Sequence, residues 1–104
     1  MFRELKKNHP GAPVVCYINT TAAIKAECTV CCTSANMLQV VESLPEKKLL
    51  FVPDRNMGRY LQQASSKELV LWKGVCPTHH RLKAEDVMAL KKAHPEAKFI
   101  AHPE

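Results

Sequence analysis

The stretch that most constrains the fold is residues 14–37, VVCYINTTAAIKAECTVCCTSANM. It holds two short apolar runs, and each breaks off into polar residues. Val14-Val15-Cys16-Tyr17-Ile18 stops at Asn19-Thr20-Thr21, and Thr29-Val30-Cys31-Cys32 stops at Thr33-Ser34-Ala35-Asn36. A helical pattern follows each stop. Strand, polar elbow and helix in that order build a parallel α/β sheet, whose ligands sit beyond the carboxyl ends of the strands.

The same grammar continues. The pattern predicts helix to residue 8, strand 14–18, helix 21–26 capped by Thr21, and strand 28–32. Next come helix 35–44 capped by Ser34 or Thr33, strand 48–52, helix 56–63, and strand 69–72. A loop at 73–80, a helix at 83–93 and a fifth strand at 99–101 complete the chain. Met37, Leu38, Val40, Val41 and Leu44 supply one buried stripe; Met57, Tyr60 and Leu61 a second; Val87, Met88 and Leu90 a third. The fold class is α/β, a three-layer αβα sandwich with a mostly parallel sheet in one small domain.

Composition excludes several functions. No apolar run is long enough to span a bilayer. The first residues lack the apolar core of a signal peptide, so the expected location is cytoplasmic. A formal charge of +5 would suit nucleic acid, but the lysines are scattered and the single Trp has no basic and aromatic neighbours interleaved with it. Solvated helix faces account for the charge, and no nucleic-acid or membrane partner is expected. Five cysteines without an export signal do not suggest disulfides. Cys28-x-x-Cys31-Cys32 has a metal-like spacing, which would make a zinc or redox protein, but it lacks a second ligand pair. Cys16, Cys31 and Cys32, and with them Cys28, read as small buried hydrophobes.

The two ends repeat. Lys6, Lys7, His9, Pro10 and Ala12 match Lys91, Lys92, His94, Pro95 and Ala97 at a constant offset of 85 (91 minus 6). Tyr17 then falls on His102 and Asn19 on Glu104. The expectation is one unit of a tandem array (residues 1–104) with the first strand of the next at about 97–104.

In a parallel sheet the elbows share one rim. There they present Tyr17, Asn19 and Thr20; Thr33, Ser34 and Asn36; Asp54, Arg55 and Asn56; Cys76, Thr78 and His79; and His102 and Glu104. Ser34 suits a phosphate or carboxylate at a helix N-terminus, or serves as a plain N-cap. Tyr17 and Asn19 suit a carboxylate, or simply the turn. Cys76, in a loop with His79 nearby, can be a nucleophile, a metal ligand or a thiol with no special role. His102 and Glu104 suit an acid/base pair.

Taken together, Tyr17-Ile-Asn19-Thr, Ala-Ala-Ile-Lys-Ala-Glu, Cys-Cys-Thr-Ser34-Ala-Asn, Phe-Val-Pro-Asp54-Arg-Asn-Met-Gly-Arg-Tyr60, Gly-Val-Cys76-Pro-Thr-His79 and His102-Pro-Glu104 resemble the quinolinate synthase family. The likeness covers nearly the whole chain in the family's order. It implies three similar αβα domains about a pseudo-threefold axis, of which this chain resembles the central one. It also implies condensation of iminoaspartate (iminosuccinate) with dihydroxyacetone phosphate to quinolinate in de novo NAD biosynthesis, on a [4Fe-4S] cluster held by three cysteines, one per domain. By position, Cys76 resembles the cluster ligand and His79 a residue near the cluster. Tyr17, Ile18, Asn19, Ser34, His102, Pro103 and Glu104 resemble substrate-binding positions, with Glu104, His102 and Tyr17 as candidate catalytic groups. The first and third domains are missing partners, so the chain alone is expected to be inactive. The competing reading is a non-catalytic α/β module that binds a phosphorylated metabolite.

Overall fold

In the computed structural model, which describes residues 1–104, four parallel strands form one sheet. The strands are β1 (Val14–Tyr17), β2 (Val30–Cys32), β3 (Lys48–Val52) and β4 (Glu68–Leu71), in the order β2-β1-β3-β4. Val15 of β1 registers with Val30 on one side and Phe51 on the other. The chain steps from β1 to β2, then back past β1 to β3 and β4. Connections therefore leave β1 and β3 in opposite directions, and a crevice opens between their carboxyl ends.

Alternation explains the two cores. Val15, Tyr17, Leu49 and Phe51 point to one face. There they meet Met37 and Val41 of α3 (Met37–Ser43), and Met57 and Leu61 of α4 (Arg55–Ala64). Val14, Cys16, Leu50 and Val52 point to the other face, under Phe2 and Leu5 of α1 (Phe2–Asn8). Central strands covered on both faces have no reason to alternate polar and apolar residues, hence the continuous runs. Each such fully buried side chain contributes about 1.5–3 kcal/mol over exposure. The three-layer αβα sandwich expected from the sequence is the architecture found.

The polar starts of the elements hold them in place. Thr21 accepts the Ile24 N–H at 3.3 Å and caps α2 (Ala22–Ala26), as expected. Thr29 Oγ1 accepts the Val14 N–H at 2.9 Å and ties the approach of β2 to β1.

Several expectations are corrected. Neither Ser34 nor Thr33 caps α3. Asn36 Oδ1 instead accepts the Thr33 N–H at 2.8 Å, closing a turn that delays the helix to Met37. Ser34 and Leu38 are exposed. Residues 73–80 are not all loop, because α5 (Pro77–His80) forms there with Pro77 in its first turn. Tyr60 is exposed, since α4 turns its other side to the sheet. Met88 and Leu90 of α6 (Ala84–Ala93) are also exposed, and that helix buries no residue. Residues 99–101 form no strand: an extended segment becomes a strand only beside a partner, and β4 and β2 are the edges of this sheet. Cys31 is exposed and Cys28 only half-buried, because β2 is an edge strand.

Candidate functional site

The crevice at the carboxyl ends of β1 and β3 holds a cavity of about 300 Å³. It is lined by Asn19, Thr20, Pro53, Asp54, Gly74, Val75, Cys76 and Pro77. A more open depression of about 500 Å³ lies around Pro10 and Lys48 at the opposite edge, with no thiol and no buried acid.

Two elbows build the cavity wall. The chain leaves β3 through a cis Val52–Pro53 peptide into Asp54. Asp54 Oδ1 accepts the Met57 N–H at 3.0 Å and so caps α4. The segment after β4 is clamped to this elbow: Arg55 N–H donates to Gly74 O at 2.7 Å. Only glycine fits position 74, where a Cβ would stand 2.7 Å from Pro53 O. That clamp delivers Cys76 to the head of α5 and His79 one turn on. Asn56 Nδ2 meets His80 Nδ1 at 3.1 Å and ties α5 to α4.

The tail completes the site. After α6 the chain returns to the rim and places the Glu104 side chain there with 4% exposure. Glu104 Oε2 lies 2.5 Å from His79 Nδ1 and 3.8 Å from His102 Nδ1, and Oε1 accepts from Asn19 Nδ2 at 3.3 Å. The Cys76 thiol, a His79 ring nitrogen and a Glu104 carboxylate oxygen all lie within 4.8 Å of one another.

The electrostatics divide two acids. Burial first, and then the neighbouring Asp54 carboxylate, raise the Glu104 carboxyl above its ordinary value, against the pull of His79. Burial would raise Asp54 too. The Glu104 carboxyl and the N–H groups of Met57, Asn56 and Cys76 outweigh it and hold Asp54 low. Asp54 Oδ2 is buried with no hydrogen-bond partner, and the Glu104 carboxyl is the neighbouring acid that acts on it. The two carboxyls are thus pushed apart, Asp54 down and Glu104 up, an arrangement suited to acid/base work.

The fold brings Asn19, Cys76, His79, His102 and Glu104 together. Tyr17, 8% exposed, packs instead in the core with Met37 and Cys32. Ile18 is exposed at the elbow, and Ser34 follows β2 on the same rim without lining the cavity. Asp54 was visible from the sequence only as an elbow residue; its signal is an N-cap acid directly after a strand-ending proline. Cys76, His79 and Glu104 offer sulfur, nitrogen and oxygen donors with open positions between them, unlike a closed structural thiolate cage. A cubane iron–sulfur cluster is held by several thiolates. Cys76, half-buried on the cavity wall, fits as one of them, and no second cysteine reaches the cavity.

A family model described as "NadA: Quinolinate synthetase A protein" matches residues 1–104. Among curated proteins, the "Quinolinate synthase" of Methanosarcina barkeri (strain Fusaro / DSM 804) is 55% identical over 102 residues, 98% of this chain and 34% of the relative. Those of Geotalea uraniireducens (strain Rf4) and Dehalococcoides mccartyi (strain CBDB1) are 56% and 54% identical over the same shares. The chain thus spans about a third of the length of the curated relatives it matches.

Proposed function

The chain belongs to the quinolinate synthetase A protein family, and on that footing we propose that it forms one wall of a site that makes quinolinate for NAD biosynthesis. The substrates in this reading are iminoaspartate and dihydroxyacetone phosphate. One observation carries it: Cys76, His79 and Glu104 meet at the rim where an α/β sheet binds ligands.

Each residue has a part. Cys76 would hold one corner of a [4Fe-4S] cluster, which when bound supplies an open iron as Lewis acid. Glu104, its carboxyl raised by burial and by Asp54, donates or takes back a proton at the rim, with His79 and His102 beside its Oε2. Asn19 Nδ2, now on Glu104 Oε1, is a donor suited to a substrate carboxylate. Ile18 and Pro103 flank these groups in sequence. Ser34 and the Thr33–Asn36 turn offer polar groups for a phosphate further along the rim, and Tyr17 supports the elbow from inside the core.

The remaining domains complete the site in this reading. The two ends support a repeat: His9 and His94 end α1 and α6 with nearly the same backbone, φ −132, ψ 66 and φ −129, ψ 68. Ala12 N–H bonds to His9 O as Ala97 N–H bonds to His94 O, at 3.3 and 3.1 Å.

The test is Cys76→Ser in the full-length protein. It should abolish cluster absorbance and quinolinate formation while leaving the fold intact. A phosphometabolite-binding module would retain ligand binding and show no cluster to lose. Anaerobic reconstitution of the 104-residue chain should give no stoichiometric cluster; finding one would overturn the shared-ligand reading.

A further inference from the structure

The sequence spacing groups Cys28, Cys31 and Cys32, but the sheet regroups them. Cys32 faces the core of Tyr17 and Phe51. Alternation along β2 turns Cys31 to the opposite face. There it stands in register beside Cys16 of β1. Cys16 is fully buried in the second core, whereas Cys31 is exposed. Cys28 packs against the same core, and its thiol donates to Ile24 O at 3.1 Å. Burial first, then the Cys28 and Cys31 thiols, push the Cys16 thiol up to about 12. At rest Cys16 donates to Tyr17 O at 3.3 Å. One thiol is therefore reachable from solvent, and its registered neighbour is sheltered and protonated.

We propose that Cys16 and Cys31 form an oxidisable dithiol, a modification site in which a small-molecule disulfide closes a bond between β1 and β2. Registered Cα atoms of adjacent strands stand about 4.8 Å apart, inside the roughly 4.4–6.8 Å span that a disulfide bridges. The Cys31 thiolate attacks the disulfide RSSR, forming a mixed disulfide and releasing RS⁻. Cys16 then attacks the Cys31 sulfur and expels the second RS⁻, which takes up the Cys16 proton as it leaves. Two protein thiols are oxidised and one RSSR is reduced to two RSH. Cys28 is not in register with Cys31 and keeps its bond to Ile24 O. The new bond would sit next to Tyr17 in β1 and Cys32 in β2, tying together the strands that carry the Asn19 and Ser34 elbows.

The test incubates the folded 104-residue chain with oxidised glutathione, blocks remaining thiols with a maleimide, and reads intact mass and linked peptides. Free thiols should fall from five to three, with Cys16 joined to Cys31. Cys28→Ser should lose the same two thiols. Cys31→Ser, an exposed position that leaves the core untouched, should lose none. Cys16→Ser should stop with one glutathione on Cys31. A Cys28–Cys31 link, thiol loss in Cys31→Ser, or wild type halting at the mixed disulfide would each overturn the proposal. The wild-type peptide map decides the matter even where Cys16→Ser folds poorly.

Discussion

Replacing Asp54 separates two jobs that its carboxylate performs. One oxygen accepts the Met57 N–H at 3.0 Å and caps α4 from a position only 2% exposed. The negative charge, independently, adds to burial in raising the Glu104 carboxyl. Asp54→Ala removes both, whereas Asp54→Asn keeps the cap acceptor and loses the charge. Losing an N-cap acceptor costs about 1 kcal/mol, approaching about 2 when it is buried. In a domain of this size each kcal/mol is worth roughly 4–8 °C in Tm. Asp54→Ala should therefore melt roughly 5–15 °C lower by circular dichroism. Asp54→Asn should stay within about 0.5 kcal/mol of wild type, because asparagine caps as well as aspartate.

The charge has a separate readout. In a ¹³C-carboxyl titration, Glu104 should move down toward the ordinary glutamate range in both variants, though not fully, because burial remains its largest cause. The signs of the two linkages differ. Glu104 is raised in the fold, so its contribution is present below its unfolded value and is lost as pH rises through its folded one. Asp54 is lowered, so its contribution is present above its unfolded value and is lost as pH falls through its folded one. Asp54→Asn should abolish that acid-side loss. Equal melting losses in the alanine and asparagine variants would refute the capping role. An unmoved Glu104 titration in Asp54→Asn would refute the coupling.

Two further substitutions test the frame of the site. Gly74→Ala pushes a Cβ against the backbone oxygen of Pro53 at 2.7 Å, and Gly58→Ala pushes one against the movable end of Leu71 at 2.5 Å. Overpacking costs about 1–3 kcal/mol, and Gly74→Ala should fall at the upper end because backbone yields less than a side chain. Urea unfolding that ranks the two the other way would contradict the clamp. Thr21→Ala removes the α2 cap and should cost about 1 kcal/mol in the same assay, whereas Ser34→Ala, which caps nothing, should cost less than about 0.5 kcal/mol.

What could be read from the sequence divides along physical lines. β1, β3 and β4, the Thr21 cap and the Met57 and Leu61 contacts were legible, because apolar runs and cap residues are local signals. The exposure of Cys31 was not, because adjacent cysteines look alike until the sheet order makes β2 an edge. α5 was missed because four residues are too few to show a helical period. The exposed Met88 and Leu90 carry a core-like pattern, and only tertiary packing decides whether anything covers it. Cys76, His79, His102 and Glu104 could be named from their elbows, whereas the opposition of Asp54 and Glu104 could not. Their contact spans fifty positions (104 minus 54) and depends on how the tail returns.

That return bears on the repeat. Asn19 and Glu104 are related by the same 85-residue offset as the two His-Pro breaks, and they hydrogen-bond to each other at 3.3 Å. Units placed side by side by translation keep equivalent residues one repeat apart. Units turned about an axis bring equivalent residues near the axis together. An elbow that bonds to its own counterpart is the contact that the pseudo-threefold arrangement implied by the family resemblance would produce. It also explains why Glu104, a residue of the next elbow in that reading, works against Asp54 and His79 of this one. Asn19→Ala should then leave the melting of the sheet unchanged yet loosen residues 97–104, read as faster amide exchange. Unchanged exchange there would sever the link between the two elbows.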